Sequence, residues 1–232
     1  MSNIDPLLRL AVEDNVAWCS AVCAAHESRE VSALGTWANL RMSPRYYPNI
    51  ITRQPGAQTE VQGIASELST SNPLERWAIK DSFCDLTLSD HGFTKILAGN
   101  WYGGAITTDG PADWKTVTTP ADLRAWEIAW GGDEQRIFPD GLLSDRRITF
   151  WFKGEADAIE DGFISFDSEF SLGLSNWFSL HNHSLAGMGA LPAAGSISQQ
   201  RPIVCWSSDA LTFEETGLAE LGPLQVWISK VA

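Results

Sequence analysis

Apolar positions along the chain change period several times, and each change marks a predicted element. Cys19, Cys23 and His26 stand at i, i+4 and i+7, with Val12, Val16 and Val22 sharing or flanking that face, which predicts a helix packed on a core. Val61, Ile64, Ala65 and Leu68 form a second helical stripe, and Thr59-Glu60-Val61-Gln62 before it reads as a capping box. A third helix starts at Thr119-Pro120-Ala121-Asp122, where proline occupies a first-turn position whose missing N–H costs nothing. It carries Leu123, Trp126 and Trp130 on one face and ends at Gly131-Gly132. A short fourth helix is expected from Ser208 or Asp209 to Gly217, whose glycine suits a left-handed cap.

The period shortens between these helices. Segments 148–153, 162–167 and 171–178 are rich in aromatic and β-branched residues, and polar turns at 154–161 and 168–170 separate them. Connections so short join antiparallel neighbours, so 146–180 reads as a three-stranded meander. Strand, helix and strand alternate on either side of it, over 48–53, 59–68 and 77–83 and again over 202–207, 209–216 and 225–229. A meander combined with helix crossovers gives the α+β (mixed α/β) class, with a mainly antiparallel sheet flanked by helices. An internal echo accompanies it: GFTKILAGNWY (92–102) and GLAELGPLQVWI (217–228) each run from glycine through apolar residues to a strand bearing tryptophan. The turn-rich TTDGPAD (107–113) is the expected boundary between two packed subdomains, 1–110 and 111–232.

Composition narrows the function classes. A formal charge of −13 over 232 residues argues against a general affinity for nucleic acid or an anionic membrane, which require a basic face. The arginines at 41, 45 and 53 read as a solvated edge. The N-terminal MSNIDPLLRLAVEDN lacks the features of a signal peptide, and no apolar run is long enough to span a bilayer, so a cytoplasmic protein is expected. Four cysteines without a C-x-x-C motif suit free thiols. Cys19, Cys23 and His26 offer a zinc-like donor set, yet their valine-rich face favours packing, and the His181-x-His183 pair lacks a third ligand; no metal is expected. Most of the eleven tryptophans are expected in the core.

The order after Lys115 is strand, capped helix, meander, glycine-rich stretch, strand, helix and strand. In this order, and in DWKTVTTPADLRAWEIAW (113–130), GFISFD (162–167), GLSNWFS (173–179) and GLAELGPLQVW (217–227), the chain resembles the GCN5-related N-acetyltransferase superfamily. WCSAVCAAH (18–26), YPNIIT (47–52) and IKDSFCDL (79–86) extend the resemblance over most of the chain. The resemblance implies acetyl-CoA or another acyl-CoA as cosubstrate. It also implies a phosphate-binding stretch at SLAGMG (184–189), where amides near Gly187, Gly189 and Ala190 would face the pyrophosphate, and backbone around Trp177 and Phe178 that would pair with the pantetheine arm. The stretch keeps the family's glycine spacing and lacks its leading cation or amide, and Pro192, Gly195 and Ser196 are expected to limit the following helix to about one turn. Asp167 and Glu169 are the candidate general bases. The family's tyrosine acid is replaced by Phe213, leaving Tyr102 as a substitute only where the two halves pack face to face.

Two functions follow. One is acyl transfer to an amine of a small molecule or peptide, with the acidic chain steering a cationic acceptor. The other is a non-catalytic binding or assembly protein of the same fold that has lost coenzyme A binding, with a homodimer through a tryptophan-bearing edge as one outlet.

Overall fold

The computed structural model describes residues 4–71, 76–106, 113–131, 136–181, 186–211 and 216–230. Four α-helices, two short 3-10 helices and eleven strands lie within these residues. The first half contributes α1 (Pro6–Ala24), β1 (Glu30–Ser32), β2 (Thr36–Asn39), β3 (Ile50–Thr52), α2 (Gln58–Ser71), β4 (Ala78–Asp81) and β5 (Phe93–Gly104). The second contributes β6 (Lys115–Thr116), α3 (Pro120–Trp130), β7 (Ile148–Glu155), β8 (Ala158–Asp167), β9 (Leu172–Ser179), α4 (Ala186–Ile197), β10 (Ile203–Ser207) and β11 (Ala219–Ser229).

All eleven strands form one sheet in the order β1-β2-β3-β4-β11-β5-β10-β9-β8-β7-β6. Among the described residues only β3 with β4 and β9 with β10 run parallel, and a helix crosses over between the members of each pair, as parallel neighbours require. This is the expected mixed, mainly antiparallel class. β5 lies between β10 and β11, and β11 lies between β4 and β5, so each half donates its last strand into the other's side of the sheet. The echoed segments are these two strands, paired antiparallel from Phe93↔Ser229 to Ala219↔Gly103.

Strand alternation splits the interior between two faces. On one, α1 and α3 cover a cluster that includes Trp18, Trp126, Phe138, Phe150 and Phe178, with Trp101 and Val204 under the start of α1. On the other, α2 packs on Ile50, Ile79 and Trp227, while α4 packs on Tyr102, Phe163 and Ile203. Of the tryptophans, Trp18, Trp37, Trp77, Trp101, Trp126 and Trp227 are buried, as expected of packing residues.

Local chemistry explains most boundaries. Thr119 caps α3 by accepting from the Asp122 amide at 3.2 Å, and Gly131 closes it at φ 104°, a left-handed conformation that favours glycine. Asp5 caps α1 through the amides of Leu7 and Leu8. α2 starts at Gln58, one residue before the expected capping threonine; Gln58 is tied to the 87 backbone and Gln62 to the His91 ring, so tertiary partners replace the capping box. β7 and β8 continue through the expected 154–161 turn down to a two-residue reversal at 156–157. α4 is a twelve-residue helix where about one turn was expected: Ala190, Leu191, Ala193 and Ala194 are buried against the sheet, and that burial outweighs the poor propensity of Pro192 and Gly195. Residues 208–211 are not helical, Thr216 is helical and Gly217 takes the expected left-handed conformation at φ 73°, while 212–215 lie outside the described residues, as do residues 107–112 of the expected 107–113 boundary. β1, β2 and β6 are too short to show a period in the sequence.

Candidate functional site

The two parallel strand pairs are topological counterparts, and they differ in the property that makes a site. β9 and β10 pair only at Ile203↔Leu172 and Val204↔Gly173 and then diverge, leaving Ser175 to Ser179 without a partner on the β10 side. At the divergence β9 carries a bulge. Its pairing with β8 jumps from Ile164↔Ser175 to Gly162↔Phe178, one residue more on β9 than on β8, and Asn176 sits at φ 53°. A bulge of this kind re-aims the backbone and frees amides and carbonyls from the ladder. Trp177 borders the opening and packs partly against the cluster under α4, whereas the Phe178 side chain is buried in the core with its ring 5.2 Å from Trp126.

α4 begins beyond this wedge. Gly187 and Gly189 are its second and fourth residues, so both belong to the first turn, whose amides lack helical acceptors, and no acidic side chain occupies that turn. Ala190, one residue further on, is fully buried against the sheet. The serine and leucine that open the glycine stretch, at 184 and 185, are outside the described residues, as are His183 and Phe213.

In the first half the corresponding positions are filled by the chain itself. β3 and β4 pair at Ile50↔Ile79 and Ile51↔Lys80, and the Thr52 hydroxyl then accepts the Ser82 amide at 2.8 Å, which holds the strands together past the ladder. Before α2, the Gly56 amide donates to the Asp85 carboxylate at 2.6 Å, and Glu60 in its first turn accepts from Thr36. An anion approaching α2 meets two carboxylates already in place.

The open wedge leads into a cleft of about 660 Å³ where the two halves meet on the α1 side of the sheet. Its walls include Trp18 of α1, Tyr47, Trp177 of β9 and Trp206 of β10. The charged residues among its lining are Arg45, Arg76 and Lys80 against a single carboxylate, Asp209. Lys80 is 4% exposed; its ammonium donates to Asn15 Oδ1 at 2.8 Å and lies 4.4 Å from the Trp206 ring, with no carboxylate in ion-pair range among the described residues. Burial lowers its pKa to about 8.

A second titratable group lies at the closed end of the wedge. Asp14 of α1 is buried, accepts the Ser171 hydroxyl at 3.0 Å, and abuts β9 so closely that a Cβ on Gly173 would fall 1.7 Å from its Oδ2. Burial raises its pKa to about 7. Sequence reasoning missed it because nothing local distinguishes it from Glu13 beside it; only the glycine opposite, at 173, hints at a close approach.

The expected bases stand elsewhere. Asp167 ends β8 in an ion pair with Arg201, which also reaches the Ser168 carbonyl, and Glu169 lies in the exposed bend after it; like Asp14, neither lines the cleft, but Asp14 alone of the three is buried. The halves do pack closely, yet Tyr102 is fully buried with its hydroxyl accepting the Leu211 amide at 3.2 Å, and the tyrosines that reach the cleft are Tyr46 and Tyr47. Cys19 and Cys23 are buried, with thiols pushed up to about 12 and 11, and His26 turns away to the Ile137 carbonyl at 2.9 Å. No group of three or more potential metal ligands occurs among the described residues. No described helix is long and apolar enough to cross a membrane.

No protein-family model matches the chain, and no similar curated protein was found. Solved structures do match. A GCN5-related N-acetyltransferase from Kribbella flavida superposes with a TM-score of 0.62 at 12% identity, over 95% of each chain. A conserved protein of unknown function from Staphylococcus epidermidis gives 0.61 at 10% identity, over 88% of this chain and 94% of that one. A GCN5-related N-acetyltransferase from Sphaerobacter thermophilus gives 0.55 at 9% identity, over 85% and 77%. With its splayed parallel strands, bulged β9 and crossover helix, the chain has the fold of the GCN5-related N-acetyltransferase superfamily.

Proposed function

We propose that the protein transfers an acetyl or other acyl group from acyl-CoA to an amine of a small molecule or peptide, and that its second half alone holds the cosubstrate. The observation that carries this reading is the asymmetry between the two parallel strand pairs: one is open and bulged with an acid-free helix start, the other zipped and occupied by Asp85 and Glu60. In this reading the free backbone of β9 around Trp177 and Phe178 pairs with the pantetheine arm. The first-turn amides of α4, at Gly187 and Gly189, face the pyrophosphate. The acceptor nitrogen enters from the cleft and attacks the thioester carbonyl; the C–N bond forms, the C–S bond breaks, and the amine proton passes to a base while the thiolate departs. Asp14, with a pKa near neutrality at the closed end of the wedge, is the carboxylate suited to that base, in place of Asp167 or Glu169.

A second reading, a binding protein without catalysis, draws on the commitment of Asp167 to Arg201 and of Tyr102 to Leu211. Thermal unfolding separates the two. Acetyl-CoA at 100 times its dissociation constant adds about 2.7 kcal/mol to a folded state that alone binds it. An upward shift in Tm with acetyl-CoA and with CoA supports the transferase, and no shift with either leaves the binding protein.

A further inference from the structure

The cleft between the halves has a charge of its own. A chain with a formal charge of −13 lines it with Arg45, Arg76 and Lys80 against Asp209 alone. Lys80 is the unusual member. An ammonium taken out of water is ordinarily paired with a carboxylate. Lys80 instead spends one donor on the neutral Asn15 side chain, rests on the faces of Trp206 and, at 5.7 Å, Trp101, and meets no acid among the described residues. The Tyr47 side chain lines the same cavity, and its buried hydroxyl, beside Trp18 and Asn176, makes no hydrogen bond of good geometry to either. An ammonium with donors to spare and a weakly partnered hydroxyl therefore line one cavity whose walls include Trp18, Trp177 and Trp206. A buried ammonium without a carboxylate, with donors left over, calls for an acceptor from outside.

We infer that the cleft binds a carboxylate carried on an aromatic or other flat apolar body, the carboxylate bridging Lys80 Nζ and Tyr47 Oη while the body lies among the tryptophans. A carboxylate offers both donors an acceptor oxygen within one planar group. This names the class of molecule on the acceptor side of the proposed transferase and so extends that reading, but it stands on the cleft's own residues. It also departs from the expectation drawn from net charge: the whole chain is acidic, and the cleft lining includes the buried cation Lys80.

The test uses the intact protein without acyl-CoA, titrated with 3-phenylpropionate and followed by tryptophan fluorescence. Saturable binding is expected, weakened at least about tenfold when the carboxylate is replaced by the amide, when acetate replaces the aromatic acid, and in Lys80→Met. Met keeps most of the apolar stem and removes the charge, and removing a buried unpaired charge leaves its Tm unchanged or raised, so lost binding is not lost folding. Tyr47→Phe gives a smaller loss in the same direction. No saturable binding by the wild type, equal affinity for the amide or for acetate, or wild-type affinity in Lys80→Met overturns the inference. Carboxylate binding without any response to acetyl-CoA retains it and removes the transferase; the opposite pattern removes the inference and retains the transferase.

Discussion

Lys80 and Asp14 are buried ionisable groups held by neutral partners, and each ties stability to pH in a calculable direction. The folded state lowers the Lys80 pKa from 10.5 to about 8, so between those values the unfolded chain binds more protons and stability rises with pH. The titratable group whose charge bears on it is the Cys19 thiol, itself pushed up to about 12, which stays neutral across that window. Lys80→Met removes the dependence, and the difference approaches about 3 kcal/mol below the folded pKa. Denaturant unfolding of both proteins at about pH 7 and about pH 10 reads it: a variant advantage that shrinks at the higher pH is the expected result. Asp14 runs the other way. Its pKa rises from 3.8 to about 7 on folding, so the stability it permits is complete below about pH 4 and lost as pH climbs through 7. Asp14→Asn is therefore expected to match the wild type near pH 4 and exceed it by a few kcal/mol near pH 8. If Asp14 is also the proton acceptor, the same variant loses kcat and flattens the pH profile, which a structural role would not do.

At the scale of elements, the long periodic segments were legible and the junctions were not. α3 follows its cap, its proline and its glycine within a residue, and the meander follows its aromatic alternation, because these signals are local and agree with the packing. The twelve-residue α4 contradicts its own proline and glycines; only the sheet it covers, through Ala190 and Ala194, makes it a helix. The proposed site is read from backbone pattern at Trp177 on β9 and at Gly187 and Gly189 in the first turn of α4. It was illegible where it depends on α1 crossing from the first half, which is how Asp14, Asn15 and Trp18 reach a wedge made by β9 and β10. Gly173 is the point of contact. Gly173→Ala drives a Cβ into the Asp14 carboxylate, and a loss of several kcal/mol in denaturant unfolding is expected, since overpacking adds to a displaced buried acid. Glu127 is a second junction: fully buried on α3, it binds Arg124 and Arg136, each at 3.0 Å, and the amides of Ile137 and Phe138. Glu127→Ala strands those partners and is expected to cost about 3–5 kcal/mol by the same measurement.

The whole molecule is held together by exchange. β5 and β11 carry the two echoed segments, and each completes the other half's portion of the sheet, with Trp101 and Tyr102 fully buried on β5. Residues 1–110 and 111–232 expressed apart each lack a central strand and expose an unpaired edge, so neither is expected to unfold cooperatively, whereas the mixture recovers a cooperative transition. The exchange also creates the structural asymmetry: one half supplies the open wedge, and the other, its own wedge zipped, supplies Lys80, Tyr47 and α1 to the shared cleft. Hydrogen exchange with and without saturating acetyl-CoA tests that division of labour most directly. The account predicts new protection in β9 from Ser175 to Ser179 and in the first turn of α4, with β3, Gly56 and the start of α2 unchanged. Protection centred on β3 and α2, or no protection in either half, would contradict it.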